Sequence, residues 1–431
     1  MTLIRLAEWG SRRVPSLNLD TRRALFDAAQ TWQHAHNLPQ APLYFGGMDG
    51  HTLFARQWVG VVEVEGVRVE IYPKLDAALL EGAAPDAAIA DTALRALLSM
   101  LDAASFGDWI ETGRAELGEA ALSFPDVWAF LLGKHLSVEL RRGLVSNYLP
   151  HRDDLSAVRG KVAVSRQVGA LFNRMDRVAC EWDEFTPDTP FNRLLKCACT
   201  QIKKRASHPT ARGLLGDCAF ALEDAGDVSP QTALRETERL IWTRGGERFR
   251  PAWELARRLL QDLSPELEGG DAGSWAFLVD MNAVFEGFCR AALEARFGAV
   301  VEEQVNVGTL FRSPNRTRQL ADFVWSRSNE RWIGDAKWKL LGSKAPALTD
   351  EEDSVKTGAI SPADVRQLTT YALLLKEKEN LGGVPHLSIL YPTLNVANAT
   401  AQRFSTWNGA DLWLWPVQVK GASSLAEAVL V

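Results

Sequence analysis

Two apolar β segments, each interrupted by an acid, constrain this chain more than any other feature. They read Leu320-Ala321-Asp322-Phe323-Val324-Trp325 and Trp332-Ile333-Gly334-Asp335-Ala336-Lys337-Trp338, with a polar turn between them. Short apolar runs bounded by turn formers are strand material. Strands joined so tightly can place Asp322 and Asp335 side by side. Successive strand residues point to opposite faces, so Asp335 and Lys337 share a face, with the Ala336 carbonyl between them. Apolar and aromatic flanks argue against a merely exposed ion pair on an edge strand.

Such a set suits phosphodiester hydrolysis. Two carboxylates and a backbone carbonyl are hard oxygen ligands for one or two Mg²⁺ ions. A neighbouring lysine positions a water or offsets transition-state charge. Upstream, Asn282 and Glu286 are four apart and share one helical face, so Glu286 is a candidate third acid, with Asn282 beside it. Downstream, Gln367 and Tyr371 have the same spacing and are candidate supporting polar groups. Asp335-Ala336-Lys337 is the sole Asp/Glu-x-Lys in the chain.

The surrounding pattern is α/β. Residues 58–72 alternate as a hairpin around Glu65-Gly66, with Glu63, Glu65, Arg68 and Glu70 expected to point outward. The hairpin is either an ordinary sheet component or a finger entering a ring-shaped partner. Helices are expected over 92–105, 126–142, 191–206, 231–242 and 251–263, with a strand or turn within 155–170. Turn formers and acids at 263–274 mark a domain boundary. Beyond it the pattern predicts a long helix at 275–297, then strands at 299–306, 308–313, 319–326 and 331–340. A polar loop at 342–360, a helix from Pro362 capped by Ser361, and strands at 386–391, 402–407 and 411–418 complete a mixed sheet. Three domains result: a β-rich N-terminal domain at 1–125, a helical basic region at 126–270, and the acid-bearing domain at 271–431.

Charge refines the picture. The 431 residues carry a net charge of −6, which excludes uniform coating of nucleic acid. Residues 131–210 nevertheless sum to +6. Arg141, Arg142, Arg159 and Lys161 there are candidates for contact with DNA or a partner, against the plainer alternative of local ion pairs. The acidic run 181–188 reads as a structured turn and helix cap before 191. Five cysteines without a Cys-x-x-Cys, no signal-peptide core and no apolar run long enough for a membrane span lead us to expect a cytoplasmic protein without membrane contact.

Helix Glu, strand Asp, strand Asp-x-Lys and helix Gln together resemble the PD-(D/E)xK nuclease superfamily. The resemblance extends along most of the chain to the McrC family, the nuclease subunits of McrBC modification-dependent restriction systems. Its pieces are Glu8-Trp9-Gly10, Ile71-Tyr72-Pro73-Lys74, Leu140-Arg141-Arg142-Gly143-Leu144 with Tyr148, and Val158-Arg159-Gly160-Lys161. Further on come Cys180 with Asp183-Glu184-Phe185 and Asp188-Thr189, Asn192-Arg193-Leu194-Leu195-Lys196, and the acidic set, with Trp338 where an aromatic is usual and Asp364 preceding Gln367. The resemblance implies a DNA endonuclease with a restriction-endonuclease-like C-terminal domain. It implies action with a hexameric AAA+ GTPase resembling McrB, which recognises double-stranded DNA containing modified cytosine and is stimulated through the N-terminal part of the nuclease subunit. Neither Gly-Lys pair, Gly133-Lys134 or Gly160-Lys161, is followed by Ser or Thr, so the chain lacks a P-loop and any nucleotide motor must be a second polypeptide. The alternatives are a non-cleaving adaptor of such a GTPase and a stand-alone repair or mobile-element nuclease.

Overall fold

A computed structural model of the protein describes residues 2–64, 66–75, 85–106, 122–242, 244–263, 275–298, 301–311, 317–339, 361–393 and 401–419. The expected loop at 342–360 lies outside them, as does nearly all of the turn-rich stretch 263–274. The chain forms two compact units, one of residues 1–124 with 267–431, the other of residues 125–266.

The N-terminal segment supplies β1 (Thr2–Ala7), β2 (Ser11–Arg13), α1 (Leu19–Ala35), β3 (Leu43–Gly46), β4 (Thr52–Ala55), β5 (Trp58–Val64), β6 (Val67–Tyr72) and α2 (Ala87–Phe106). The Asn18 side chain accepts from Thr21 N at 2.8 Å and so caps α1. Leu25, Ala28, Ala29 and Trp32 of that helix join one core with Val62, Val69 and Ile71 of the sheet. The hairpin β5–β6 pairs antiparallel, with Val64 opposite Val67, and forms the middle of a four-stranded sheet. It is thus a sheet component. Arg68 and Glu63 pair at 2.6 Å on its surface. Glu70, expected to face outward, is buried instead, because it accepts from the Tyr72 hydroxyl beside Arg5.

The second unit contains most of α3 (Phe124–Leu140), then β7 (Asn147–Leu155), β8 (Lys161–Val162), α4 (Val164–Val168), β9 (Val178–Thr186), α5 (Pro190–Arg205), α6 (Pro209–Ala221), α7 (Pro230–Glu236) and α8 (Arg250–Leu263). Thr189 caps α5 and Pro190 opens it. Asp126 accepts from Ser207 N and His208 N, both at 2.7 Å, and so ties the residues leading into α6 to α3 across 81 or more residues of sequence. The acidic run corrects one expectation. Glu181, Asp183 and Glu184 lie on β9, where β7 and β8 pair on either side of it. Only Asp188 sits in a turn, clamped by Arg193 at 2.6 Å.

The C-terminal segment adds β10 (Trp275–Asp280), α9 (Met281–Phe297), β11 (Glu302–Thr309), β12 (Arg318–Arg327), β13 (Glu330–Ala336), α10 (Pro362–Glu379), β14 (His386–Thr393), β15 (Gln402–Ser405) and β16 (Asp411–Gln418). The helix expected from 275 starts only at Met281. Trp275–Asp280 is a strand that pairs antiparallel with β5 and completes the N-terminal sheet. A short apolar run reads as strand or helix equally well; pairing decides it. Asp280 then caps α9 by accepting from Asn282 N at 2.9 Å. Gly60 permits the close approach: at φ +148° a Cβ there would lie 2.1 Å from Phe277 O. The two strands expected at 299–306 and 308–313 are one, β11, carried past Val307 by a bulge between Asn306 and Gly308.

Strands β11-β12-β13-β14-β16-β15 form one mixed sheet, with β13, β14 and β16 parallel and the rest antiparallel to their neighbours. Ser361 and Asp364 form a reciprocal capping box that fixes the start of α10. Leu368, Ala372 and Leu375 of α10 pack on Ile333, Leu387, Ile389 and Leu414. Among the described residues no helix is long and apolar enough to cross a membrane.

Candidate functional site

The site grows out of the β12–β13 register. Phe323 lies opposite Gly334 and Val324 opposite Ile333. The Ala336 N–H donates to Asp322 Oδ2 at 2.9 Å, locking the first acid onto the strand that carries the second. Asp335 is 4% exposed. Lys337 Nζ lies 2.6 Å from Asp335 Oδ2, a close ion pair whose alignment leaves that oxygen without a hydrogen bond. Lys337 N–H donates to Leu390 O at 2.9 Å, so the lysine continues the pairing of β13 with β14.

Burial dominates the electrostatics. It pushes the Asp335 carboxyl up to about 7, with the Asp322 charge adding to it and Lys337 opposing. Asp322 is raised by burial and then by Glu286, against the Ala336 N–H. Burial works against the Lys337 ammonium, but Asp335, then Asp364 and Asp322, hold it above its usual value. Two carboxylates facing each other under these conditions favour a cation beside them.

Glu286, on α9, is half-buried and accepts from Gln304 Nε2. Burial raises its carboxyl, and Glu303 and Asp335 add to the shift, so its charge reaches the same site. Among the described residues, however, no three His, Cys, Asp or Glu side chains converge as a metal-holding group. Asn282 is exposed and bonds Asp280 Oδ1 at 2.9 Å, serving the start of the helix. Gln367 Nε2 donates to the Tyr371 hydroxyl at 2.8 Å, as the spacing of four suggests.

The basic residues behave differently from the acids. Arg142 pairs with Glu139 at 3.0 Å. Arg159 pairs with Glu184 at 3.5 Å and lies over the Trp182 ring. Nearby, Arg152 meets Glu181 at 3.0 Å and Arg166 meets Asp154 at 2.8 Å. Arg141 and Lys161 are exposed without an ion pair among the described residues. Several of these arginines are therefore held in local ion pairs, while the segment as a whole keeps its net positive charge.

Two supporting contacts escaped the sequence reading. Lys339 Nζ reaches Asp364 Oδ2 at 2.7 Å, tying the segment after β13 to α10. Trp338 Nε1 donates to Glu8 Oε1 at 2.9 Å, across 330 residues of sequence. No local periodicity announces either; only the tertiary fold does.

The chain belongs to the family described as McrBC 5-methylcytosine restriction system component, whose profile matches residues 53–392. A chain of the refined half-complex from the tetradecameric assembly of Thermococcus gammatolerans McrB AAA+ hexamers with bound McrC shares its fold. The alignment covers 99% of this chain and 97% of that one, at 21% identity and a TM-score of 0.65. A chain of the cryo-EM Thermococcus gammatolerans McrBC complex aligns over 70% of this chain and 90% of that one, at 25% identity and a TM-score of 0.48. No curated protein matches.

Proposed function

We propose that this protein is the Mg²⁺-dependent DNA endonuclease subunit of a McrBC-type restriction system. It cleaves double-stranded DNA containing modified cytosine, together with an AAA+ GTPase partner resembling McrB, whose GTP hydrolysis it stimulates. One observation carries the reading: Asp322, Asp335 and Lys337 meet where β13 ends beside β12, with Asp335 buried, Asp322 half-buried and both carboxyls pushed up. The donor set suits a hard cation. Asp335 Oδ2 is buried beside the Lys337 ammonium, and the Ala336 carbonyl adds a neutral oxygen. Asp322, Asp335 and that carbonyl would hold the ion, with Glu286 assisting from α9. When bound, Mg²⁺ supplies charge at the scissile phosphate and acidifies a water. Lys337 orients the attacking water and stabilises negative charge on the phosphorane, and the buried setting strengthens both effects. Gln367 and Tyr371 steady one another on α10 beside the sheet.

The test is Asp335→Asn in a supercoiled-plasmid assay with Mg²⁺, the partner GTPase and GTP. The amide keeps the side-chain volume but loses the anionic ligand. Cleavage should fall by roughly 10³-fold, equivalent to several kcal/mol of transition-state stabilisation, while partner-stimulated GTP hydrolysis persists. A variant that cuts at the wild-type rate refutes the assignment. Stimulated GTP hydrolysis by the wild type without strand breaks would instead identify an adaptor.

A further inference from the structure

We propose that Glu8 is a positioning residue for the Asp335–Lys337 site, making its geometry conditional on the N-terminal sheet; this rests on the nuclease reading above. Glu8 follows β1 directly and is 1% exposed. Its Oε1 accepts from two donors, Lys74 N and Trp338 Nε1, each at 2.9 Å. Lys74 comes just after β6, the strand that pairs with β1, so the carboxylate is braced from its own sheet before it reaches outward. Trp338 is the residue after Lys337, and its ring packs on Phe285, the neighbour of Glu286, with centroids 5.3 Å apart. One indole thus touches the segments that carry two of the candidate functional side chains.

The segment leaving β13 is held from three directions. Lys337 N is bonded to Leu390 O within the sheet. Lys339 is paired with Asp364 of α10. Glu8 holds Trp338 between them. The first two ties belong to the acid-bearing segment itself, whereas the third comes from the other end of the chain. Past Ala336 the chain turns tightly, with the Lys339 N–H donating to Lys337 O at 2.7 Å, so the three ties together fix the turn that carries Lys337. Without Glu8 the indole N–H loses its acceptor and one of the three ties is released.

Burying a carboxylate is expensive, and packing alone does not call for one here. Glu8 Oε2 is buried with no hydrogen-bond partner. An apolar residue would fill the space at lower cost. What it could not do is accept from Lys74 and Trp338 together. Outer partners that orient ligating or catalytic groups typically contribute 10–100-fold to metal affinity or activity.

The experiment compares Glu8→Ala, Glu8→Gln, Trp338→Phe and the Glu8→Ala/Trp338→Phe double variant in the plasmid assay with Mg²⁺, partner GTPase and GTP. Asp335→Asn serves as the reference for the site itself. Glu8→Ala should lower kcat about 10–100-fold with KM for DNA unchanged, and raise the Mg²⁺ concentration for half activity. Glu8→Gln keeps the Oε1 acceptor and should restore kcat to within about threefold. Trp338→Phe keeps a ring on Phe285 but removes the N–H, so it should reproduce the alanine loss. The double variant should then be no worse than either single one. Calorimetric titration of Mg²⁺ into the full-length variants gives a readout independent of turnover, and thermal melting confirms that each is folded. Wild-type kcat in folded Glu8→Ala, failure of Glu8→Gln to recover, or multiplying losses in the double variant would each overturn the proposal while leaving the nuclease reading intact. If wild type fails to cut, or Asp335→Asn cuts normally, the nuclease reading falls and this proposal with it.

Discussion

Replacing Glu8 with glutamine changes how stability depends on pH, and the structure sets both sign and size. Burial pushes the Glu8 carboxyl up to about 7 from an ordinary 4.5, against the Lys74 N–H and the Trp338 indole. Below pH 4.5 the group is protonated in both folded and unfolded chains. Between 4.5 and 7 the unfolded chain releases its proton while the folded chain keeps it. The raised value therefore contributes stability that is fully present below pH 4.5 and lost as pH rises through 7. The loss amounts to about 3 kcal/mol at roughly 1.4 kcal/mol per pH unit. Glutamine is neutral throughout and escapes this loss. Asp322 and Asp335 titrate in wild type and variant alike, so they cancel in the comparison. For the unit of about 290 residues formed by 1–124 and 267–431, the unfolding entropy is near 0.6 kcal/mol per kelvin. The melting temperature of Glu8→Gln minus that of wild type should thus rise by about 5 °C between pH 4.5 and 8, measured by scanning calorimetry. A difference that stays constant to within about 1 °C would refute the reasoning. It would mean that Glu8 is ionised in the folded protein, neutralised by Lys74.

Two further outcomes follow from the fold. Gly60→Ala forces a Cβ into Phe277 O at a backbone φ of +148°; it should cost about 3 kcal/mol or more in denaturant unfolding, and a loss below about 1 kcal/mol would show that β5 and β10 do not meet there. Ser361→Ala removes the hydroxyl that accepts from Asp364 N; it should cost about 1 kcal/mol, read by hydrogen exchange at the start of α10, and unchanged protection there would contradict the capping box.

The parts legible in the sequence are those written in local pattern. Ser361-Pro362 announces α10 because cap and first-turn chemistry are short-range. The β5–β6 hairpin and the pair Asp322 and Asp335 are legible because alternation and a tight turn fix neighbours. Trp275–Asp280 was misread because its pattern is silent about partners, and β5 lies more than 200 residues earlier. Glu70 was misread because alternation gives a face without saying whether that face is covered. For the arginines of the basic segment the sequence leaves contact with DNA or a partner and local ion pairing both open, because the acids that meet Arg152, Arg159 and Arg166 stand on strands brought beside them only by folding. Glu8 carries no local signal of its role, since its partner Trp338 becomes its neighbour only after folding.

The strand β10 has a consequence for how the protein is made. It lies at the edge of the N-terminal sheet, on β5, yet it is synthesised after the whole second unit. A nascent chain that has produced β1 through β6 therefore carries β5 with an open row of N–H and C=O groups until residue 280 leaves the ribosome. An unpaired apolar edge is a template for pairing with other chains. Folding of the first-made sheet is thereby chained to completion of a later segment, and a polypeptide halted between 124 and 275 would be a sticky, unfinished fragment instead of a smaller working protein.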